Sequence, residues 1–248
     1  MQIVKSLTRI HAERAEDGGT RFAELSATAP ISLRETPDAL YLVASAQGLL
    51  SDDVIRLEIV VGAGAHLRIK SAAATIAYAS RDAHLEVDAT VGVGGRLEWL
   101  PEPLIATARC HLVSSVQVAL DADASLDWLD ECILGRSDEE PGSVELGISI
   151  ERGSSPLLRH RVVVGEALSG WDGPAILGVN RAIGQRVIVD PRRAEFLTTS
   201  ATSSESTWAL LPLDAGGALI TAVGADLVGL RNSMAEALLR VIASPQPS

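Results

Sequence analysis

The clearest pattern in the chain is a unit of alternating apolar and polar positions that occurs three times, over residues 57–69, 85–99 and 116–128. In each copy, apolar residues occupy every second position on both sides of a four-residue link. A period of two is typical of a β-strand with one buried face, whereas a helix follows a longer period. The links contain glycine or small Asp–Ala pairs, which suit tight connections that need positive φ. The pattern therefore predicts three strand–turn–strand units.

These three units recur at a nearly constant spacing, since their equivalent residues Leu67, Leu97 and Leu126 lie 30 and 29 residues apart. Constant spacing favours stacked layers, in which each unit covers the apolar face of its neighbour and equivalent side chains form columns. Three unrelated hairpins in a sandwich would give the same alternation. The pattern alone therefore predicts a mainly β fold and leaves both arrangements open.

Further strands are predicted in the second half of the chain, over residues 144–151, 157–164, 185–189 and 215–223. Each is a short segment with apolar or alternating character. Gly153–Ser155 has the composition of a turn between the first two of these strands.

The C-terminal region is predicted to form one amphipathic helix. Apolar residues recur at helical spacing over Leu227–Val241, and Asp226 is placed to cap the first turn. Residues 244–248 have the composition of a frayed tail. Because no Pro- or Ser-rich linker divides the middle of the chain, we expect a single domain over residues 1–248 with its core at about 40–243.

Composition narrows the choice of partners. The chain of 248 residues has a formal charge of −11, so its field repels a nucleic-acid backbone. Protein surfaces or cations are better candidates. Aromatic residues make up only 3%, so the core must consist mainly of Val, Leu, Ile and Ala.

The sequence also bears on the cellular compartment. The N-terminus has no continuous apolar segment of a secretory signal, and the longest uncharged stretch, Ala39–Ser51, is too short to cross a membrane. Cys110 and Cys132 are too few for a disulfide framework. One bridge between them is chemically possible, but buried free thiols are the simpler expectation. We predict a cytoplasmic protein that does not associate with membranes.

Carboxylates give the most specific hypothesis about a site. If the units stack in register, Glu98 lies over Asp127 and Glu102 lies over Glu131, with Glu140 soon after. Stacked like charges repel unless a cation or a base lies beside them. One interpretation is therefore a strip of oxygen ligands that holds a divalent cation weakly. The alternative is a solvated acidic face, because charged residues are mostly exposed.

Several segments in this order resemble the UreD family, also called UreH, of urease accessory proteins. The matching segments are Gly48–Asp53, Ala72–Tyr78, Leu97–Glu102, Trp128–Arg136 and Pro156–Arg159. Together they cover about residues 40–165. The sequence departs from the family pattern at Gln47 and Asp52, which replace glycines, and at Ile76, which replaces lysine.

The resemblance implies a β-helix-like fold of stacked sheets with a C-terminal helix and few other helices. It also implies a non-catalytic scaffold or metallochaperone that acts in the cytoplasm with UreF and the GTPase UreG. That complex docks on apo-urease and inserts nickel, and a homodimer within it is a further implied assembly. No tightly bound cofactor is implied, only transient Ni²⁺.

Functional positions carry over from the family only where the motifs match. Glu98, Glu102 and Glu131 match family positions, and Glu140 lies where the match is weaker; together with Asp127 from the predicted stacking, they are the candidate metal ligands. The other matching positions are Asp53, Thr75, Tyr78 and Arg136. Of these, Thr75, Tyr78 and Arg136 are equally candidates for structural roles, and an arginine after a glycine turn often serves as a buried hydrogen-bond hub.

Two other functions remain open at this point. Stacked β-helices with surface carboxylates also include glycan-active hydrolases, which act through a pair of acids. Such enzymes usually present aromatic platforms to sugar rings, whereas this chain has only six Trp and Tyr residues in total. The second alternative is a purely structural scaffold that never touches metal.

Overall fold

The computed structural model describes residues 4–46, 49–50, 52–79, 82–165, 168–174, 176–193, 200–203, 207–214 and 216–242. Parts of the first family segment (Gln47, Gly48 and Ser51), the start of the last predicted strand (Ala215) and the tail 244–248 lie outside these ranges. Strands form 57% of the described residues, with one C-terminal helix, which confirms the mainly β fold class.

The strands follow one another through most of the chain. In chain order they are β1 Lys5–Arg14, β2 Thr20–Ala27, β3 Ile31–Glu35, β4 Leu40–Ala44, β5 Val54–Val61, β6 His66–Ser71, β7 Thr75–Ala77, β8 Ala83–Val91, β9 Arg96–Trp99, β10 Leu104–Ala106, β11 His111–Leu120, β12 Ser125–Leu134, β13 Ser143–Arg152, β14 Ser155–Val164, β15 Ala182–Val189, β16 Ala201–Thr202, β17 Trp208–Leu213 and β18 Gly217–Gly224. A short 3₁₀ turn covers Pro191–Arg193, and the helix α1 covers Leu227–Ile242.

Two sheets contain all of these strands. Sheet A has the order β14-β13-β11-β8-β5-β1-β2. Sheet B has the order β16-β17-β18-β15-β12-β9-β6-β4-β3, and β10 joins it through β12 and pairs with β7. The inner faces of both sheets form one hydrophobic core.

The three repeat units are β5–β6, β8–β9 and β11–β12. In each unit the first strand belongs to sheet A and the second to sheet B, so the link turns a corner between the sheets. Equivalent strands pair in parallel, and Leu97 is the register partner of both Leu67 and Leu126. The stacked arrangement is therefore confirmed, and the interpretation as three unrelated hairpins is wrong.

Glycine conformation explains two of the three corners. Gly64 and Gly94 occupy the third position of their links with φ of 64° and 63°. This left-handed region is costly for residues with a Cβ atom, so glycine is the residue that forms the corner with least strain. All three corners close through the same hydrogen bond, from the amide of the fourth residue to the carbonyl of the first, and the corner at Asp121–Ala124 has it without a glycine.

Aliphatic residues in register and one aromatic pair fill the core. Leu57 and Val87 lie on the inner face of sheet A, and Leu97 lies on that of sheet B; all three are buried. The rings of Trp99 and Trp128, adjacent in the same column, stack with centroids 4.8 Å apart and planes 10° apart. Offset stacking of this kind adds to the free energy gained from burial alone.

The ends of the chain extend the sheets on both sides of the repeat. The strand β1 pairs in parallel with β5, and its residues Ile10 and Ala12 are buried, so the core begins before residue 40. The predicted strands of the second half are confirmed as β13, β14, β15 and β18. Gly153 forms the turn between β13 and β14 with a φ of 59°.

The predicted C-terminal helix and its cap are confirmed. The Gly229 amide donates a hydrogen bond of 2.8 Å to Asp226 Oδ1, which satisfies one of the free amides of the first turn. The buried face of α1, including Leu230, Met234 and Val241, forms a second hydrophobic cluster with β17 and β18. No helix in the described ranges has the length and apolar character needed to cross a bilayer.

Both cysteines are free and buried, as expected. Burial raises the pKa of the Cys110 thiol to about 11 and raises that of Cys132 further. Since the thiolate is the reactive form of cysteine, both thiols are unreactive at neutral pH.

We expect Leu97→Ala to lower the free energy of unfolding by about 2–5 kcal/mol, because Leu97 is fully buried in the centre of the column. Val93→Ala is the matched control, since Val93 is 54% exposed in the corner of the same unit. Urea unfolding followed by circular dichroism measures both changes. If both variants lowered the free energy of unfolding by the same small amount, the idea that the stacked leucines stabilise the core would be contradicted.

Candidate functional site

A column of charged residues crosses sheet B on the face that points away from the core. Because side chains alternate along a strand, Glu98 lies opposite in direction to its neighbours Leu97 and Trp99, which belong to the core. Arg68 and Asp127 are the register partners of Glu98 on the two adjacent strands. The prediction that Glu98 lies over Asp127 is thus confirmed.

Basic side chains surround Glu98, although the residue is only 3% exposed. Arg68 Nε donates to its Oε2, Arg96 Nη2 lies 2.6 Å from Oε1, and His66 Nε2 lies 3.2 Å from Oε1. Burial raises the pKa of Glu98, but the hydrogen bond from Arg68 and the charges of Arg96, Arg68 and His66 outweigh it, so the pKa is lowered. Glu98 is therefore ionised at neutral pH.

Asp127 is held by one arginine through two parallel hydrogen bonds. Arg186 on β15 donates from Nε to Oδ1 at 2.8 Å and from Nη2 to Oδ2 at 2.7 Å. This fork geometry is the strongest arrangement between a guanidinium and a carboxylate. The pair is largely shielded from solvent, with 18% and 19% of the two side chains exposed.

Glu102 and Glu131 come together through the helix rather than through strand register. Trp99 pairs with Trp128 but Leu104 pairs with Cys132, so the chain between β9 and β10 contains one extra residue and the ladder is interrupted at Glu102. Arg231 of α1 restores the contact. Its Nη2 atom lies 3.0 Å from Glu102 Oε2 and 2.8 Å from Glu131 Oε2.

Both interpretations of the acidic strip need revision. Glu98 and Glu131 are buried, so these acids do not form a solvated acidic face. They are also not vacant ligands, because every one of Glu98, Glu102, Asp127 and Glu131 makes an ion pair with arginine. Within the described ranges, no three His, Cys, Asp or Glu side chains are arranged to hold a metal ion.

Glu140 and Arg136 lie apart from this column. Glu140 is exposed in the loop after β12, and among the described residues no arginine that pairs with the other four acids also contacts it. Arg136 is also exposed, with 56% of its side chain accessible, and it pairs with Glu139. The expectation of a buried hydrogen-bond hub at Arg136 was wrong, because the glycine turn before it leads to the surface.

The remaining family positions have different roles. Asp53 is buried, and its carboxylate accepts hydrogen bonds from the amides of Val4 and Leu50 at 2.8 and 2.9 Å, so it fixes the loop before β5. Thr75 and Tyr78 instead line a cavity of about 610 Å³ between the two sheets.

Asp130, which was not among the predicted site residues, lies on the wall of this cavity. It occupies the inner phase of β12, between the buried residues Trp128 and Cys132. Its Oδ2 atom accepts hydrogen bonds from Trp128 Nε1 at 2.9 Å and from Gln185 Nε2 at 3.0 Å. Burial raises the pKa of Asp130, although the N–H groups of Gln185, Trp128 and Trp99 oppose the shift. A charged residue in the apolar phase of a strand is the signal that could have identified it.

We expect Glu98→Gln to lower the free energy of unfolding at neutral pH by about 2–4 kcal/mol, because it leaves two guanidinium groups without their buried partner. The folded pKa of Glu98 is depressed, so its contribution is present above the ordinary pKa of 4.5 and is lost as the pH falls below that value. The difference between wild type and variant should therefore shrink in acid, as measured by urea unfolding from pH 7 to pH 3.

Glu58→Gln is the control for this measurement, since Glu58 forms exposed ion pairs with Arg9 and Arg56 on sheet A. Its effect should stay below about 1 kcal/mol. A Glu98→Gln effect of that size at every pH would contradict a buried, ionised Glu98.

Comparison with known proteins identifies the family. The model of a family described as UreD urease accessory protein matches residues 6–247. The urease accessory protein UreD of Streptomyces avermitilis is 38% identical over 250 residues, which cover 95% of this chain and 96% of that protein. Urease accessory protein UreD 3 of Streptomyces griseus is 34% identical over 251 residues, covering 96% and 97%. This chain belongs to the UreD family of urease accessory proteins.

Proposed function

We propose that this chain is a non-catalytic scaffold for nickel insertion into urease, and that it acts in the cytoplasm in a complex with UreF, UreG and apo-urease. The observation that carries the proposal is the family match over nearly the whole chain. The match includes both the stacked repeat and the C-terminal helix, so the entire scaffold is shared.

Transient Ni²⁺ binding by Glu98, Asp127 and Glu131 is the proposed chemical role of the charged column. These carboxylates follow one another across adjacent strands or along one strand. Each is neutralised by arginine, so a cation must displace a guanidinium before it binds. That competition keeps the affinity low, which suits an ion that is passed on rather than stored.

A glycan hydrolase has less support. Such an enzyme needs one carboxylic acid with a raised pKa to protonate the leaving group, opposite a second carboxylate. The pKa of Glu98 is lowered, and Asp127 is bound by both nitrogens of the Arg186 fork. Asp130 has a raised pKa, but Glu131, the acid next to it on the cavity wall, is held by Arg231.

A purely structural scaffold is the second candidate, and one observation favours it. Each of the four acids Glu98, Asp127, Glu102 and Glu131 is paired with an arginine. The same arrangement is expected if the ion pairs only hold the strands and the helix together. The two candidates differ in whether the chain touches nickel, and an experiment can separate them.

We expect Asp127→Ala combined with Glu131→Ala to lower the nickel content of urease in a reconstituted activation assay, while UreF and UreG still copurify with the chain. The control is Glu58→Ala combined with Asp88→Ala, which removes the same charge from the outer face of sheet A. Nickel content is measured by atomic absorption of the isolated urease.

Equilibrium dialysis of Ni²⁺ against the isolated chain tests the direct contact. Arg186→Met combined with Arg231→Met releases the carboxylates from their guanidinium partners, so nickel affinity should increase by about tenfold if the column binds the ion. Unchanged dialysis together with normal urease activation by the Asp127 and Glu131 double variant would contradict the nickel role and leave the structural scaffold.

A further inference from the structure

We propose that the cavity between the two sheets is a binding site for an organic monocation, an ammonium or guanidinium group on an apolar body, with Asp130 as its counter-ion. This inference does not rest on the proposed role in nickel insertion. It rests on the shape and composition of the cavity and on the position of the Asp130 carboxyl group in its wall.

The cavity has the properties of a ligand site. Its volume of about 610 Å³ is in the range of small-molecule pockets. Leu57 and Leu85 line it from sheet A, and Leu42 and Trp99 line it from sheet B, so its walls are mainly apolar. Exposed residues such as Ala73 also line it, which means that the cavity opens to the surface.

Asp130 is held rigidly in this wall. Two of its hydrogen-bond donors, the Trp128 indole and the Gln185 amide, belong to buried side chains that are 0% and 2% exposed, and both reach Oδ2. The indole N–H of Trp99 also acts on the carboxyl group. A carboxylate fixed in this way needs little reorganisation when a ligand binds.

Asp130 differs from the acids around it because no arginine among the described residues pairs with it. Glu102 and Glu131 also line the cavity, but both are neutralised by Arg231. Asp130 makes no ion pair with any cation in the described part of the chain. The cavity therefore contains one carboxyl group that has no cationic partner among the described residues, and a bound ammonium or guanidinium group would favour its ionised form.

The chemistry of the walls favours an organic cation over a metal ion. Divalent ions such as Mg²⁺ and Ca²⁺ require several oxygen ligands, whereas the cavity offers one unpaired carboxylate in apolar surroundings. A monocation matches this single acidic group. Its apolar body would bury surface against the leucines and Trp99, and aromatic rings also attract cations directly.

Isothermal titration of the full chain with n-hexylammonium chloride tests the proposal. Wild type should bind the amine, and the uncharged analogue n-hexanol should bind at least tenfold more weakly. Asp130→Asn keeps the size of the side chain and removes its charge, so it should weaken n-hexylammonium binding by at least tenfold. Asp88→Asn, on the outer face of sheet A, should bind like wild type.

Ala73→Trp is a second variant that leaves the interior untouched. Because Ala73 is exposed where the cavity opens, a large side chain there should block access and abolish binding without a change in urea unfolding. Binding of n-hexanol equal to that of the amine, or undiminished amine binding by Asp130→Asn, would overturn the proposal.

Two further measurements distinguish a free amine from a lysine side chain of another protein. Native mass spectrometry of the purified chain detects a retained small amine as added mass that Asp130→Asn lacks. Carbodiimide treatment of the complex with UreF and UreG, followed by peptide mapping, detects an amide between Asp130 and a partner lysine. Either result supports the site and identifies its source; absence of both, with no n-hexylammonium binding, refutes it.

Discussion

The parallel hydrogen bonding of equivalent strands is the constraint on which the rest of this structure depends. It places Leu97 between Leu67 and Leu126 on the inner face and Glu98 between Arg68 and Asp127 on the outer face. A shift by one residue would exchange the two faces and move every charge into the core. The register therefore determines the hydrophobic core and the charged column together.

Burial then determines what the charged column can do. A carboxylate that is largely removed from water needs a partner, and in this structure the partners are arginines from three directions. Arg68 and Arg96 come from the repeat itself, Arg186 from β15, and Arg231 from α1. The carboxylates of the column are consequently all neutralised by arginine. A metal cation could bind to one of them only by displacing its guanidinium partner.

The sequence predicted those parts of the fold that depend on local periodicity. The spacing of Leu67, Leu97 and Leu126 was sufficient to place Glu98 over Asp127, because a repeat carries its register with it. The same reasoning failed at Glu102, where one extra residue interrupts the ladder. The pairing of Arg186 with Asp127 joins residues 59 positions apart, which no local pattern indicates. Stacking of acids does not indicate Asp130, because this residue lies in the inner phase of β12 whereas the stacked acids lie in the outer phase.

Arg231 has a consequence for the order of folding. The residue contacts Glu131, 100 positions earlier, and Glu102, 129 positions earlier. Repeat proteins can usually add one layer after another, because each layer contacts only its neighbours. Here two carboxylates of the central layers receive their guanidinium only when the last helix has been synthesised. The ion pairs of these two central acids with Arg231 can therefore form only after α1 has left the ribosome.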